Sequence, residues 1–150
     1  MIACEGATFE RNGFKVTGIP RITRTDLKTG KMEILATQFQ GKPLRGPNDV
    51  TMDGKGRLYF TDMAGVAVYR IDPSGQLARI LAAPDIQRPN GIQISPDDKT
   101  LYLIEANGAD SGARMIRAAC TTSRMASCMA LPPAPSRRAA SRGSRSSVMA

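Results

Sequence analysis

The chain of 150 residues contains no histidine and no tryptophan. Without imidazole it has no histidine base, no histidine zinc site and no serine–histidine nucleophile pair. Acid–base or metal chemistry must then rest on Asp, Glu, Asn, Lys or Tyr. Cysteine is scarce as well. Cys4, Cys120 and Cys128 form no CxxC pair and no metal-ligand spacing, which argues against a disulfide framework and is compatible with a reducing compartment. No apolar run approaches the roughly 20 residues that a membrane helix needs. The opening residues lack the charged-then-apolar order of a secretory signal. The cytoplasm is therefore the default compartment. Periplasm and exterior stay open, because the chain reads as starting inside a domain.

Acidic residues are missing from one region only. The formal net charge is +8, yet residues 1–113 hold 14 Lys and Arg against all 13 acids. Beyond Asp110 only Arg114, Arg117, Arg124, Arg137, Arg138, Arg142 and Arg145 carry charge. The basicity belongs to the end of the chain and gives the body no nucleic-acid signature. Neither a specific nucleic acid nor a membrane is an expected partner.

What the sequence does contain is a duplication. Arg45-Gly-Pro-Asn-Asp-Val runs on to Gly56-Arg-Leu-Tyr-Phe-Thr-Asp62, and Arg88-Pro-Asn-Gly-Ile-Gln-Ile runs on to Thr100-Leu-Tyr-Leu-Ile-Glu105. Each copy reads as Pro-Asn, an apolar alternation, a polar turn, and a second apolar run ending in a carboxylate. Asn48 and Asn90 are 42 positions apart. A repeat of roughly 40–50 residues made of short strands marks a propeller blade. Met1-Ile-Ala-Cys-Glu5 matches the carboxylate-ended run, so the chain is expected to enter on the second strand of a blade. Gly6 to Pro20 reads as a polar loop with Asn12-Gly13 as a turn signal.

A second pattern alternates with the first. Residues 22–36 read as a hairpin around Lys28-Thr-Gly30, and residues 68–82 repeat it around Pro73-Ser-Gly75. Met115-Ile-Arg117 starts a third copy. The unit is thus an Asn-led inner strand, a carboxylate-ended second strand and a hairpin of outer strands. The fold class is all-β: a partial β-propeller of about two and a half four-stranded blades. Its open blade edges are expected to favour self-association. The propeller occupies residues 1–118. From Ala119 to Ala150 the alternation and acids vanish, and Ser, Ala, Arg and Pro dominate. This low-complexity basic tail reads as disordered, or as a segment translated out of frame.

Asn48 and Asn90 are the candidate site. Equivalent places on neighbouring inner strands aim them at a common axis, where amide oxygens suit a hard cation such as Ca²⁺. Taken singly, each Asn reads as a turn residue ahead of a ligand; the repetition in register and the shared preceding Pro shift the reading towards a site. Asp62 and Glu105 read as solvated or turn-capping carboxylates, Asp26 and Asp72 as turn structure, and Tyr59 and Tyr102 as core. Gly54-Lys-Gly56 lacks the length and the helix of a phosphate loop.

With these motifs in order, residues 1–117 resemble the SMP-30/gluconolactonase/LRE-like family. The resemblance rests on Gly46-Pro-Asn-Asp-Val50, Gly56-Arg-Leu-Tyr-Phe-Thr-Asp62, Arg88-Pro-Asn-Gly-Ile92 and Ser95-Pro-Asp-Asp-Lys-Thr-Leu-Tyr102. It implies a six-bladed propeller with one divalent cation, usually Ca²⁺, in its channel and a small lactone as substrate. Asn90 then corresponds to a metal ligand, and Asn48 to a residue that binds the metal or the substrate. The family's first-blade Glu and its later catalytic Asp have no counterpart here, so no residue of this chain is assigned as catalytic. The isolated chain is expected to be a poor lactonase or none. The alternative is a propeller-type binding module without catalysis.

Overall fold

A computed structural model describes residues 1–6, 9–106 and 113–119. The expected tail lies outside the described residues from residue 120 on. Among the described residues there are fourteen strands and no helix, hence no helix long and apolar enough to cross a membrane. In chain order they are β1 (Ile2–Glu5), β2 (Phe9–Arg11), β3 (Phe14–Val16), β4 (Arg21–Thr25), β5 (Met32–Ala36), β6 (Gln38–Phe39) and β7 (Lys42–Pro43). Then follow β8 (Pro47–Met52), β9 (Leu58–Asp62), β10 (Ala67–Ile71), β11 (Leu77–Ala82), β12 (Pro89–Ile94), β13 (Thr100–Ala106) and β14 (Ala113–Ala119).

Three antiparallel sheets form the blades of a partial β-propeller. Blade 1 is β1-β4-β5, blade 2 is β8-β9-β10-β11, and blade 3 is β12-β13-β14. Each expected strand falls where the repeat places it. The chain enters on a second strand: β1 pairs with β4 in register Glu5↔Arg21, as β9 pairs with β10 in register Asp62↔Ala67. The inner strand β8 lies against β1 on one side and β12 on the other.

Turn chemistry explains where the strands stop. Asp26 Oδ1 accepts the backbone N–H of Lys28 (2.8 Å) and Thr29 (3.0 Å), and Gly30 closes the turn at φ 72°. Ser95, Asp97 and the left-handed Asp98 close the turn between β12 and β13. The expected loop from Gly6 to Pro20 departs from expectation in one respect. It holds the small hairpin β2-β3, turned at Asn12 (φ 51°) and Gly13 (φ 78°). Its three-residue strands are too short for alternation to register as a pattern, but the Asn-Gly signal for a tight hairpin turn was sound.

Blade 2 is the buried layer. The alternation along its strands sends Phe60, Ala67, Tyr69 and Ile71 against Ile22, Ala36 and Leu44 of the blade 1 side. The opposite face sends Tyr59, Val68 and Leu81 against Ile92, Ile94, Leu101, Leu103 and Ile116 of blade 3. β9 is covered on both faces, and all five of its residues are buried, the polar Thr61 and Asp62 included. Phe60 is fully enclosed and stacks on Tyr69 with ring centroids 5.2 Å apart. Burying such a ring contributes about 1.5–3 kcal/mol.

Candidate functional site

Neither asparagine stands in a turn, which overturns the turn reading of the Pro-Asn pairs. Each is the second residue of an inner strand, and each inner strand bulges there. Pro47 pairs with Asp62 and Val50 with Phe60, so Asn48 and Asp49 together oppose Thr61. In blade 3, Pro89 pairs with Glu105 and Ile92 with Leu103, so Asn90 and Gly91 oppose Ile104. Pro fits the first position of a strand because it has no ladder hydrogen to give. A bulge then turns the next side chain out of the pleat's alternation.

The two bulges bring the amides together. Asn48 Nδ2 donates to Asn90 Oδ1 at 2.5 Å. Asn48 is exposed and Asn90 half-buried, so the pair sits at a surface that small molecules can reach.

Two residues not singled out in the sequence stitch the bulges to each other. The Thr61 hydroxyl accepts the Asp49 backbone N–H (3.1 Å) and donates to the Asn90 carbonyl (2.8 Å). It serves a main-chain donor that the bulge has removed from the ladder. Asp49 Oδ2 accepts the Ile92 N–H across the blade boundary at 3.2 Å, and Oδ1 accepts its neighbour Val50 N–H at 2.9 Å. A hydroxyl or carboxylate opposite a bulge has no sequence signature of its own. Only the pairing of Pro-Asn with a carboxylate-ended strand hinted at it.

Asp62 and Glu105 are turn-capping carboxylates, but they are buried, not solvated (1% and 0% exposed). Asp62 accepts the backbone N–H of Arg45 (3.0 Å), Gly46 (2.7 Å) and Gly65 (3.0 Å). The carboxylate lies so close over Gly65 that no Cβ would fit there. Glu105 accepts the N–H of Gln87 (2.5 Å) and Arg88 (3.2 Å), and its other oxygen takes Arg114 Nε at 2.7 Å. In each blade the acid holds the two residues that lead into Pro-Asn. Burial pushes the Glu105 carboxyl up, but the Gln87 N–H, the Arg114 guanidinium and the Arg88 N–H outweigh it. It therefore stays below the usual glutamate value.

Blade 1 carries the same acid in Glu5, bound by the Thr23 hydroxyl (2.6 Å) and Arg21 Nε (2.9 Å). Thr23 first and then Arg21 hold its carboxyl below the usual value. Cys4 occupies the place in β1 that Thr61 occupies in β9. Burial, and then the negative charge of Asp49, push its thiol up to about 12. Asp26 serves its own turn and Asp72 pairs with Arg70 (2.9 Å). Tyr59 is core, while Tyr102 is half-buried. Among the described residues no three His, Cys, Asp or Glu side chains gather as a metal cluster. The oxygen donors at the bulges are two amides with one carboxylate beside them.

Comparison with known proteins agrees with this architecture. The chain is 30% identical over 108 residues to a gluconolactonase of Zymomonas mobilis, a match covering 62% of this chain and 30% of that protein. It is 29% identical over 106 residues to a lactonohydrolase of Aspergillus oryzae, covering 61% of this chain and 24% of the other. The solved gluconolactonase of Xanthomonas campestris superposes with a TM-score of 0.57 at 29% identity, over 67% of this chain and 38% of that one. The chain thus spans well under half the length of the relatives it matches. The family description "SMP-30/Gluconolactonase/LRE-like region" fits residues 1–126. Two consecutive blades with the same bulged Pro-Asn strand, and a family match across residues 1–126, place the chain in the SMP-30/gluconolactonase/LRE-like family.

Proposed function

We propose that Asn48 and Asn90 form the cation-facing side of a lactone-hydrolase site. The observation that carries this reading is the direct contact of two equivalent amides, 2.5 Å apart, from consecutive blades. The kinship with a gluconolactonase and a lactonohydrolase supports the substrate class.

The donor set suits a hard divalent ion such as Ca²⁺, which accepts amide oxygens. Asn90 would hold it through Oδ1, and Asn48 through its own Oδ1 once the amide turns. Such an ion, when bound, supplies charge that polarises a lactone carbonyl. The chain's own residues supply placement. The bulges present the amides, Thr61 ties the two inner strands, and Asp49 holds Ile92. Both Asp49 oxygens already accept backbone N–H groups, so this carboxylate shapes the bulge and supplies nearby negative charge. Asn48, the more exposed of the pair, would also donate to a substrate oxygen.

Two neutral ligands and one nearby charge bind weakly, so the expected dissociation constant for Ca²⁺ is about millimolar. Titration of the whole chain with calcium chloride, read by calorimetry, tests this. Asn90→Ala should abolish the heat, and hydrolysis of gluconolactone should stay far below that of a full-length relative. An unchanged titration in Asn90→Ala would remove the assignment.

A further inference from the structure

We infer that Asp62 and Glu105 are positioning residues that set the asparagine pair, an inference resting on the proposed role of that pair. Each carboxylate stands at the far end of a second strand, Asp62 last in β9 and Glu105 last but one in β13, is fully enclosed, and reaches back 16 to 18 positions to two successive backbone N–H groups. Those groups belong to Arg45 and Gly46 in blade 2, and to Gln87 and Arg88 in blade 3. Pro47-Asn48 and Pro89-Asn90 follow them directly. Proline fixes φ, and the pairings Pro47↔Asp62 and Pro89↔Glu105 close the loop onto the strand end. The direction of each asparagine is thus determined from both sides, by the acid before Pro and the bulge after it.

A latch serving only stability would need no such match between blades. Here an aspartate in one and a glutamate in the other reach the same two positions. The longer glutamate also takes Arg114, at 2.7 Å from Nε. Asp62 instead takes a third backbone N–H from Gly65. The lateral partner differs, and the hold on the Asn-bearing loop is the shared element.

Asp62→Asn keeps size and sets an NH₂ group against a backbone donor whichever oxygen it replaces, since both oxygens accept backbone N–H groups, and Glu105→Ala removes the single oxygen, Oε1, that takes both the Gln87 and the Arg88 N–H. Asp53→Asn is the matched control. It too is a buried carboxylate of blade 2 capping backbone N–H groups, those of Lys55 and Arg57, and it has no contact with the asparagines. Two readouts are taken on the whole chain: the side-chain NH₂ resonances of Asn48 and Asn90, and calcium chloride affinity. Removing a group that orients a ligand typically weakens metal binding about 10–100-fold. That loss, with displaced NH₂ resonances, is expected for Asp62→Asn and Glu105→Ala. The control should lower the melting temperature and leave both readouts alone.

Unmoved resonances in the two test variants, or equal displacement in the control, overturn the inference. Displaced resonances in a chain whose native form binds no calcium uphold the latch and discard the cation reading. Should the test variants not fold, amide exchange in the native chain decides. Protection of Arg45, Gly46, Gln87 and Arg88 upholds the latch, and fast exchange at all four removes it.

Discussion

Blade 2 buries two aspartates, Asp53 in the turn from β8 to β9 and Asp62 at the end of β9, and the two are used in opposite ways. Asp53 answers to its own hairpin: Lys55 N–H, Arg57 N–H and Nε, and the Tyr59 hydroxyl all lie within six positions. Asp62 answers chiefly to a loop 16 and 17 positions earlier in the chain. Asp53 neutralises a buried guanidinium, which also lies 5.9 Å from the Tyr59 ring centre. Asp62 takes backbone donors and, among the described residues, carries no ion pair. A local partner set makes a turn; a distant one orients a segment. The first should therefore govern stability, and the second the geometry of the asparagines.

The sharpest way to break this contrast is Asp53→Ala. It removes the carboxylate that pairs with Arg57, whose side chain is 9% exposed. Removing one partner of a buried pair costs about 3–5 kcal/mol. Urea unfolding should show that loss while the Asn48 and Asn90 NH₂ resonances of the folded fraction stay in place. A loss below about 1 kcal/mol would mean that the pair is solvated. Acid probes the same end. Burial pushes the Asp53 carboxyl up, but the Arg57 N–H, its guanidinium and the Lys55 N–H prevail, so it lies below its ordinary value of 3.8. A depressed carboxyl contributes stability in full above that ordinary value and loses it as pH falls further. The urea midpoint should hold from pH 7 to pH 5 and drop below about pH 4.

The contrast also shows what the sequence makes legible. Strand order and blade number follow from periodicity, because alternation and turn residues act over short distances. The equivalence of Asn48 and Asn90 is visible too, since repetition survives in one dimension. The bulges are not. Pro-Asn followed by Asp or Gly fits a turn as well as a bulge, and only pairing with Thr61 or Ile104 decides between them. Nor is the burial of Asp62 and Glu105 legible. A strand-end acid normally meets water, and these two are dry because loops 16 to 18 positions away fold over them.

Thr61→Val sharpens the comparison at the site end with a smaller effect. The substitution keeps the shape and removes both hydroxyl bonds, leaving the Asp49 N–H without its acceptor. An unpaired buried donor costs about 1–3 kcal/mol. Unlike Asp53→Ala, this change should also shift the Asn90 backbone resonances, because the lost bond to its carbonyl crosses from blade 2 to blade 3. A stability loss with no change at Asn90 would show that Thr61 serves only its own blade.

The smallest effect is chemical and reads the third bulge neighbour, Cys4. Its thiol, held at about 12 by burial and by Asp49, contains almost no thiolate at pH 8, and thiolate is the reactive form. With Cys120 and Cys128 replaced by Ser, only Cys4 reports. Maleimide should label the native chain about a hundredfold or more slowly than the urea-unfolded chain, whose thiol returns towards about 8.5. Asp49→Asn removes the second of the two causes while leaving the first, so labelling should quicken without reaching the unfolded rate. An Asp49→Asn labelling rate equal to the native rate would place Asp49 and Cys4 apart. It would then sever blade 1 from the inner-strand contacts that blades 2 and 3 share.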